Sequence, residues 1–596
     1  MGLIRPLFSV LFFWSCRNIL KNILNFTRTM FRKKRNFRKI GKANNDIAPD
    51  EIFLDSSNLP KFNTSQFEGR MEKPINKRTI IATSLIFLFI GIVFSGRVWH
   101  LQISRGEELK LRSQDNNLQN IIQFSERGII YDRNGKELAW NALAEEERDF
   151  PERKYMAKKG LSHLLGFVDY PKKDSSGRYY EYKISGQDGV EKYFEEELGG
   201  ETGLQIIETN VFGETLSESV IDRADNGRDI VLSIDWRIQN KLYELIEQTA
   251  KISDFQGGAG LIMDVENGEL LAIVSYPEYD SQVLTNKKDT EKISAYTSDP
   301  KKPFLNRAVS GLYTPGSIIK PFIALAALEE EIISPQKSIL STGSISIQNP
   351  YNPEQKSVFR DWKAHGFVDM RKALAVSSNV YFYAIGGGYE DQEGLGITRI
   401  EKYLKNFGFG KITGIDVGEE NDGVVPNPRW KKEVFNDDWR LGDTYITSIG
   451  QFGFQLTPLQ VLRGAAMIAN KGKLLKPTVL AGEMPIVEKE IKIDDGKFEI
   501  VREGMREAVL SGTAGSLNFP YIRIAAKTGT AELGVLKESV NSWILGFWPY
   551  EKPRYAFAVV MERRESKNPI GGLFVATNLI DWMRQNTPEY LEEAEK

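Results

Sequence analysis

One cysteine in 596 residues, Cys16, leaves the chain without a disulfide of its own. It precedes the long apolar run described below, so nothing after that run has thiolate chemistry. Histidine is almost as scarce: His100, His163 and His365 are the only three. That leaves few candidates for a Ser-His-Asp triad and almost none for a histidine-rich metal site. A serine enzyme built from this chain therefore uses lysine as its base. Asp361 and His365 stand four apart, but with no cysteine or second histidine near them they read as a polar pair, and no metal is expected. No dinucleotide or Walker signature occurs. Gly386, Gly387 and Gly388 form a glycine run with no Lys-Ser/Thr after it, which reads as a loop. Tryptophans and tyrosines are scattered among acidic residues, which argues against nucleic-acid binding.

A formal net charge of −2 hides an asymmetry. Basic residues crowd the first eighty positions, as in Arg32-Lys-Lys-Arg35, and the remainder is mildly acidic. Thr79 to Gly96 carries no charge, is flanked by Lys77-Arg78 and Arg97, and is long enough to cross a bilayer. The basic excess before it places the N-terminus in the cytoplasm and the rest outside, in a single-pass inner-membrane topology. The expected organisation is a basic, largely disordered cytoplasmic tail (1–78), a transmembrane helix (79–97), a stalk with a small α+β extension (98–225), a large main domain (226–585) and a short tail (586–596). Pro6 to Cys16 reads as an interfacial helix. Met30 and Met71 remain open as alternative start sites.

Beyond the span, Val98 to Ser113 reads as a polar helix. Arg127 to Gly135 is an alternating strand ending in an Asn134-Gly135 turn, hence a hairpin. A helix is expected around Tyr155 to Leu165, a strand over Asp229 to Asp235 and an amphipathic helix over Trp236 to Lys251. Gly260 to Asp264 and Glu269 to Ser275 flank Asn267-Gly268 as a second hairpin. Ile522 to Thr530, Ser542 to Trp548 and Tyr555 to Glu562 supply three late strands, and Leu573 to Arg584 a closing helix. Two early strands meeting three late ones, with helical material between, predicts an α+β fold: one five-stranded antiparallel sheet flanked by helices.

The chemistry centres on Tyr313-Thr-Pro-Gly-Ser-Ile-Ile-Lys320. Pro315-Gly316 stops the preceding segment and Ser317 opens an apolar helix, with Lys320 three residues on and on the same face. In a buried helix such a lysine can lose its proton and take one from the serine hydroxyl. Chance alone supplies about two or three Ser-x-x-Lys matches in a chain of this length. Ser298/Lys301 and Ser334/Lys337 are such matches, but only Ser317 stands at a turn-to-helix junction. Downstream lie Ser377-Ser378-Asn379 and Lys527-Thr-Gly-Thr530. Ser-x-Asn also occurs at Ser56, Ser516 and Ser539, whereas Lys-Thr-Gly occurs once.

Ser-x-x-Lys, Ser-x-Asn and Lys-Thr-Gly in that order resemble the penicillin-recognising serine transferases and hydrolases, whose β-lactamase-like transpeptidase domain has the sheet predicted above. Arg127 to Gly135, Gly189-Val-Glu191, Ser275-Tyr-Pro277, Asn306-Arg-Ala308, Phe407 to Gly410, Thr413 to Asp416 and Thr457-Pro-Leu-Gln460 look like class B penicillin-binding proteins. Trp362 to Gly366 followed by Tyr381-Phe-Tyr383 looks like the elongation (rod-system) type, penicillin-binding protein 2. The resemblance implies a D,D-transpeptidase that cross-links peptidoglycan stem peptides and is inhibited by β-lactams.

It also implies roles. Ser317 would attack the carbonyl of the penultimate D-alanine, with Lys320 as base. Ser377 would relay a proton and Asn379 would hold the substrate amide. Lys527, Thr528 and Thr530 would bind the terminal carboxylate, Gly529 would let the substrate backbone lie against the strand, and the N–H groups of Ser317 and Thr530 would form the oxyanion hole. Implied partners are a membrane SEDS-family glycosyltransferase and other elongation-complex proteins. No cofactor is implied. After Ser317 no Glu-x-x-x-Asn element of the class A β-lactamase kind occurs, which favours transfer. A D,D-carboxypeptidase, a slow β-lactamase and a non-catalytic β-lactam-binding scaffold remain as alternatives. Two departures stand out: a short segment between Asn141 and Asp188, and Phe452 in Gly450-Gln-Phe-Gly453 where the family usually has glycine.

Overall fold

The computed structural model describes residues 77–110, 118–143, 149–209, 215–349, 352, 354–534, 536–565 and 570–592. The expected tail, the helix at Pro6 to Cys16 and Cys16 itself lie outside the described residues. The chain divides into two units, 1–109 and 110–596.

In the first unit, α1 (Lys77–Trp99) is apolar all round and buries none of its residues. Its 23 residues extend about 34 Å at ~1.5 Å each, enough for a hydrocarbon core of ~30 Å. A π-helical turn, His100–Ser104, follows it.

The second unit begins with β1 (Leu118–Gln123), β2 (Ile130–Tyr131), β3 (Glu137–Ala142), β4 (Glu152–Tyr155), β5 (Gly203–Thr209), β6 (Thr215–Asp222) and β7 (Ile230–Val231). They form two small sheets, ordered β1-β5-β6 and β7-β2-β3-β4. The predicted hairpin is β2–β3. Its turn is held by Asp132 Oδ1, which accepts from the backbone N–H of Asn134 and Lys136 at 2.9 and 2.8 Å. The helix expected around Tyr155 to Leu165 shrinks to Ser162–Leu165, because Glu152–Tyr155 pairs with β3 as a strand. The strand expected over Asp229 to Asp235 is likewise only Ile230–Val231. Beyond it the Ser233 N–H turns to Val479 O at 2.7 Å and Asp235 becomes a helix cap.

That cap opens α2 (Trp236–Ser253). Next come β8 (Gly257–Asp264), β9 (Leu270–Tyr276), α3 (Lys320–Glu329), α4 (Asn379–Gly387), α5 (Pro428–Phe435), α6 (Pro458–Ala469) and α7 (Asp495–Leu510). The chain then adds β10 (Ala525–Leu533), β11 (Ser539–Trp548), β12 (Tyr555–Glu565) and α8 (Gly572–Asn586). The five strands pair antiparallel in the order β9-β8-β12-β11-β10, so the early hairpin joins the late strands through β8 and β12 as predicted.

Both faces of this sheet are covered, which is why its strands read as nearly continuous apolar runs. Ile262, Val274, Ile544, Phe557 and Val559 pack with Leu242, Ile246, Val575 and Leu579 of α2 and α8. Leu261, Met263, Trp543, Leu545 and Ala558 face α3 and α6, among Phe322, Leu325, Leu459 and Leu462. Each fully buried aliphatic or phenyl side chain here contributes about 1.5–3 kcal/mol. The glycine run expected as a loop is instead the end of α4, with Gly388 at φ 85° closing it. Gly387 is needed in that helix because a Cβ there would lie 2.4 Å from the Tyr445 ring.

Candidate active site

The serine turn is fixed from three sides. Tyr313 and Leu456 exchange both backbone hydrogen bonds at 3.0 Å, the Gly316 N–H donates to Gly450 O at 2.9 Å, and Trp543 Nε1 donates to Thr314 O at 3.0 Å. Gly316 takes φ 58°, and a Cβ there would stand 3.0 Å from Thr530 O. A Cβ on Gly529 would meet Ile318 Cγ2 at 2.8 Å and Pro315 O at 3.1 Å. Both glycines thus let the turn lie directly against β10, a packing role for Gly529 that its motif does not announce.

Sequence spacing predicts an α-helix beginning at Ser317. The structure instead places one 3-10 turn, Gly316–Ile319, ahead of α3, which starts at Lys320 with Pro321 in its first turn. At three residues per turn, side chains i and i+3 eclipse. Lys320 therefore lies in line with Ser317 along the axis, where an α-helix would offset it around the axis. Ser317 is half-buried and Lys320 fully buried. The chance matches differ on this point, since Lys301 and Lys337 are exposed.

Lys320 Nζ donates to Ser377 O at 2.8 Å, Ser377 Oγ at 3.3 Å and Asn379 Oδ1 at 2.7 Å. Lys527 Nζ donates to the same Ser377 Oγ at 2.8 Å and to Thr528 O at 2.8 Å. One hydroxyl thus bridges two buried amines. Burial pushes Lys320 down to about 7, with Asp361 pulling weakly the other way. Burial, then the neighbouring Lys320, holds Lys527 well below the ordinary lysine range. Two ammonium groups cannot share this water-poor pocket cheaply, so an amine free to accept a proton is available near neutrality.

Ser377 reaches its place through a left-handed backbone, φ 59°, between two helices. Such strain in a non-glycine residue persists only where its surroundings impose it. Here they do. Ser378 caps α4 and donates from Oγ to Asp361 Oδ2 at 2.8 Å, and Val380 N–H donates to the same oxygen at 3.0 Å. Trp362 Nε1 donates to Val376 O at 3.2 Å. His365 Nε2 lies 3.7 Å from Asp361 Oδ1. Among the described residues, no cluster of three or more candidate ligands is arranged to hold a metal.

The structure brings together Ser317, Lys320, Ser377, Asn379, Lys527, Thr528, Gly529 and Thr530, drawn from three separate parts of the chain. It adds residues that sequence reasoning missed. Thr528 Oγ1 donates to Thr513 Oγ1 at 2.6 Å. Thr513 follows α7 in a Gly-Thr-Ala-Gly stretch whose small residues were its only signal. Phe382, noted in the sequence only as part of Tyr381-Phe-Tyr383, lies under the Lys320 amine, 5.4 Å from Nζ to ring centroid.

The family model for the penicillin binding protein transpeptidase domain matches residues 258–576. The chain belongs to this transpeptidase family. A second model, the penicillin-binding protein dimerisation domain, matches residues 147–232 of this transpeptidase-family chain. A Haemophilus influenzae relative, the peptidoglycan D,D-transpeptidase MrdA, is 27% identical, over 85% of this chain and 92% of its own. The structure of Helicobacter pylori PBP2 in complex with MreC matches with TM-score 0.65 and 28% identity, over 79% of this chain and 99% of that one. A chain from a peptidoglycan synthase complex that coordinates polymerization and crosslinking matches with TM-score 0.65 and 25% identity, over 87% of this chain and 100% of that one.

Proposed function

We propose that this protein is a membrane-anchored peptidoglycan D,D-transpeptidase of the PBP2 (MrdA) type, acting through an acyl-serine intermediate and inhibited by β-lactams. The observation that carries the reading is buried Lys320, one turn from half-buried Ser317 and joined through the Ser377 hydroxyl to Lys527. The catalytic steps follow from that arrangement. Neutral Lys320 takes the Ser317 hydroxyl proton as Oγ attacks the carbonyl carbon of the penultimate D-alanine. The oxygen's negative charge is met by the N–H groups of Ser317 and Thr530. As the C–N bond breaks, the proton passes from Lys320 by way of the Ser377 hydroxyl to the departing D-alanine nitrogen. An amine on a neighbouring stem then attacks the ester and loses its proton to the same base, which returns it to Ser317 Oγ as the ester C–O bond breaks.

Asn379 holds the donor amide, and the Thr528 and Thr530 hydroxyls bind the donor carboxylate. Burial disfavours charge on Lys527, but an arriving carboxylate offsets that cost and lets the amine take up a proton. Residues 226–585 form the catalytic domain and 98–225 the stalk and extension. We place this region outside the membrane and residues 1–78 in the cytoplasm, with α1 as the single span. The H. pylori PBP2–MreC complex and the synthase-complex neighbour support an elongation role, and a membrane SEDS-family glycosyltransferase is the partner we propose for it.

The test is to label the full chain with fluorescent penicillin and map the adduct. We expect one adduct, at Ser317, and none on Ser317→Ala. An adduct that persists in that variant sinks the assignment.

A further inference from the structure

β10 is an edge strand, paired only with β11 within its sheet. Main-chain groups along an antiparallel strand alternate in direction with period two. Thr528, Thr530 and Glu532 therefore present their N–H and C=O groups to the same side, the side of the serine turn. At Glu532 that side is occupied. With its amide turned so that both ends find partners, Gln451 Nε2 donates to Glu532 O at 3.1 Å and Gln451 Oε1 accepts from Glu532 N–H at 3.0 Å. The side-chain amide closes one rung of the ladder as a neighbouring peptide group would.

The chain around Gln451 is held in place. Its N–H donates to Ile446 O at 3.1 Å, and the preceding Gly450 O receives the Gly316 N–H. The following Phe452, at φ 63°, sets its ring among Trp430, Phe435 and Trp439, with centroids 5.9, 6.2 and 5.6 Å away. One short segment thus ties the serine turn to the rung two residues beyond Thr530.

We propose that Gln451 sets how much of the acyl donor is read by main-chain pairing: an extended stem peptide adds to β10 at Thr530 and stops there, because the Gln451 amide closes the rung at Glu532. This deepens the transpeptidase reading and rests on it. With the donor carboxylate at Lys527 and Thr528 and the scissile carbonyl at Thr530, the donor's N-terminal part runs toward Glu532. Two strand residues span about 7 Å, one further dipeptide of donor. That dipeptide finds no free backbone partner at Glu532, so the enzyme recognises the end of the stem and ignores its length.

The experiment uses the full chain in detergent as wild type, Gln451→Ala and Gln451→Glu. It reads acylation by benzylpenicillin, whose single side-chain amide serves one rung, and kcat/KM for D-alanine release from a diacetyl-Lys-D-Ala-D-Ala tripeptide and from the pentapeptide stem. For wild type, we expect the two donors to agree within about twofold. Gln451→Ala should favour the pentapeptide by about fivefold or more, the scale of one net hydrogen bond. Gln451→Glu, which can accept from the Glu532 N–H but cannot donate to its carbonyl, should fall between. Benzylpenicillin should acylate all three within about threefold. An unchanged donor ratio in both variants overturns the proposal. So does a large loss of benzylpenicillin acylation in both, since Gln451 would then be supporting the serine turn. Failure of benzylpenicillin to label the wild-type chain is a separate result, and it removes the transpeptidase reading itself.

Discussion

The Ser377 hydroxyl receives hydrogen bonds from two lysines that burial keeps short of protons. This ties the rate of acylation to pH. Only neutral Lys320 can accept the Ser317 proton, and its pKa is lowered to about 7. We expect the second-order acylation rate by benzylpenicillin to fall about tenfold per pH unit below that value. Stopped-flow acylation from pH 5 to 9 measures it, and a flat profile would exclude Lys320 as base. Lys320→Arg, which stays protonated, should lose about a hundredfold or more at every pH. Stability has a related dependence. The folded pKa lies below the ordinary 10.5, so unfolding takes up a proton between about pH 7 and 10.5. This lysine's cost to the fold is therefore largest below pH 7 and fades as pH rises through that window.

At the scale of elements, the loop from Gly450 to Gly453 does what neither flanking helix could, reaching the serine turn through Gly450 O and the sheet edge through Gln451. Phe452 pins it. A left-handed backbone costs a residue bearing a Cβ about 1–2 kcal/mol, and the ring's place among Trp430, Phe435 and Trp439 offsets that cost. Lys431 adds its amine 5.5 Å from the ring centroid. Removing the ring should destabilise the protein, but in an unusual order: Phe452→Gly should melt above Phe452→Ala, because glycine alone escapes the left-handed penalty. Thermal melts of the two variants decide it. Alanine melting above glycine would mean that the φ angle carries no strain.

Across the whole molecule, the extension is assembled on a buried ion cluster. Glu191 accepts from Arg127 at 2.5 Å and Arg153 at 2.7 Å, all three side chains being essentially without solvent contact. Burial alone would raise the Glu191 pKa, yet the two arginines overcome it and hold the carboxyl below its usual range. The stability this contributes is present above the unfolded value near 4.5 and is lost as pH falls through the lower folded value. Glu191→Gln leaves Arg153 without a carboxylate and Arg127 with only Glu195, at a cost of about 3–5 kcal/mol. We expect its melting temperature to drop by several degrees while acylation per folded molecule stays within about twofold of wild type. A lost acylation rate in folded protein would instead couple the extension to the catalytic site.

The apolar run of α1, the five strands and the three catalytic motifs are legible in the sequence because each is local: an uncharged stretch, a period-two alternation, a serine three residues from a lysine. Residue patterns of this kind determined the fold class and, with the family resemblance, singled out Ser317, Lys320, Ser377, Asn379 and Lys527 as the candidate site. They misjudged elements whose state depends on remote partners. Tyr155 is a strand because Ala139 pairs with it, and the last turn of α4 carries glycine at 387 because Tyr445 leaves no room for a side chain. Only the tertiary structure decided that the serine turn is 3-10, that Gly529 is required by Ile318 and that Gln451 closes the rung at Glu532. These are contacts between segments tens to hundreds of residues apart, and close packing of a buried site is set by which surfaces meet, a quantity that no local pattern contains.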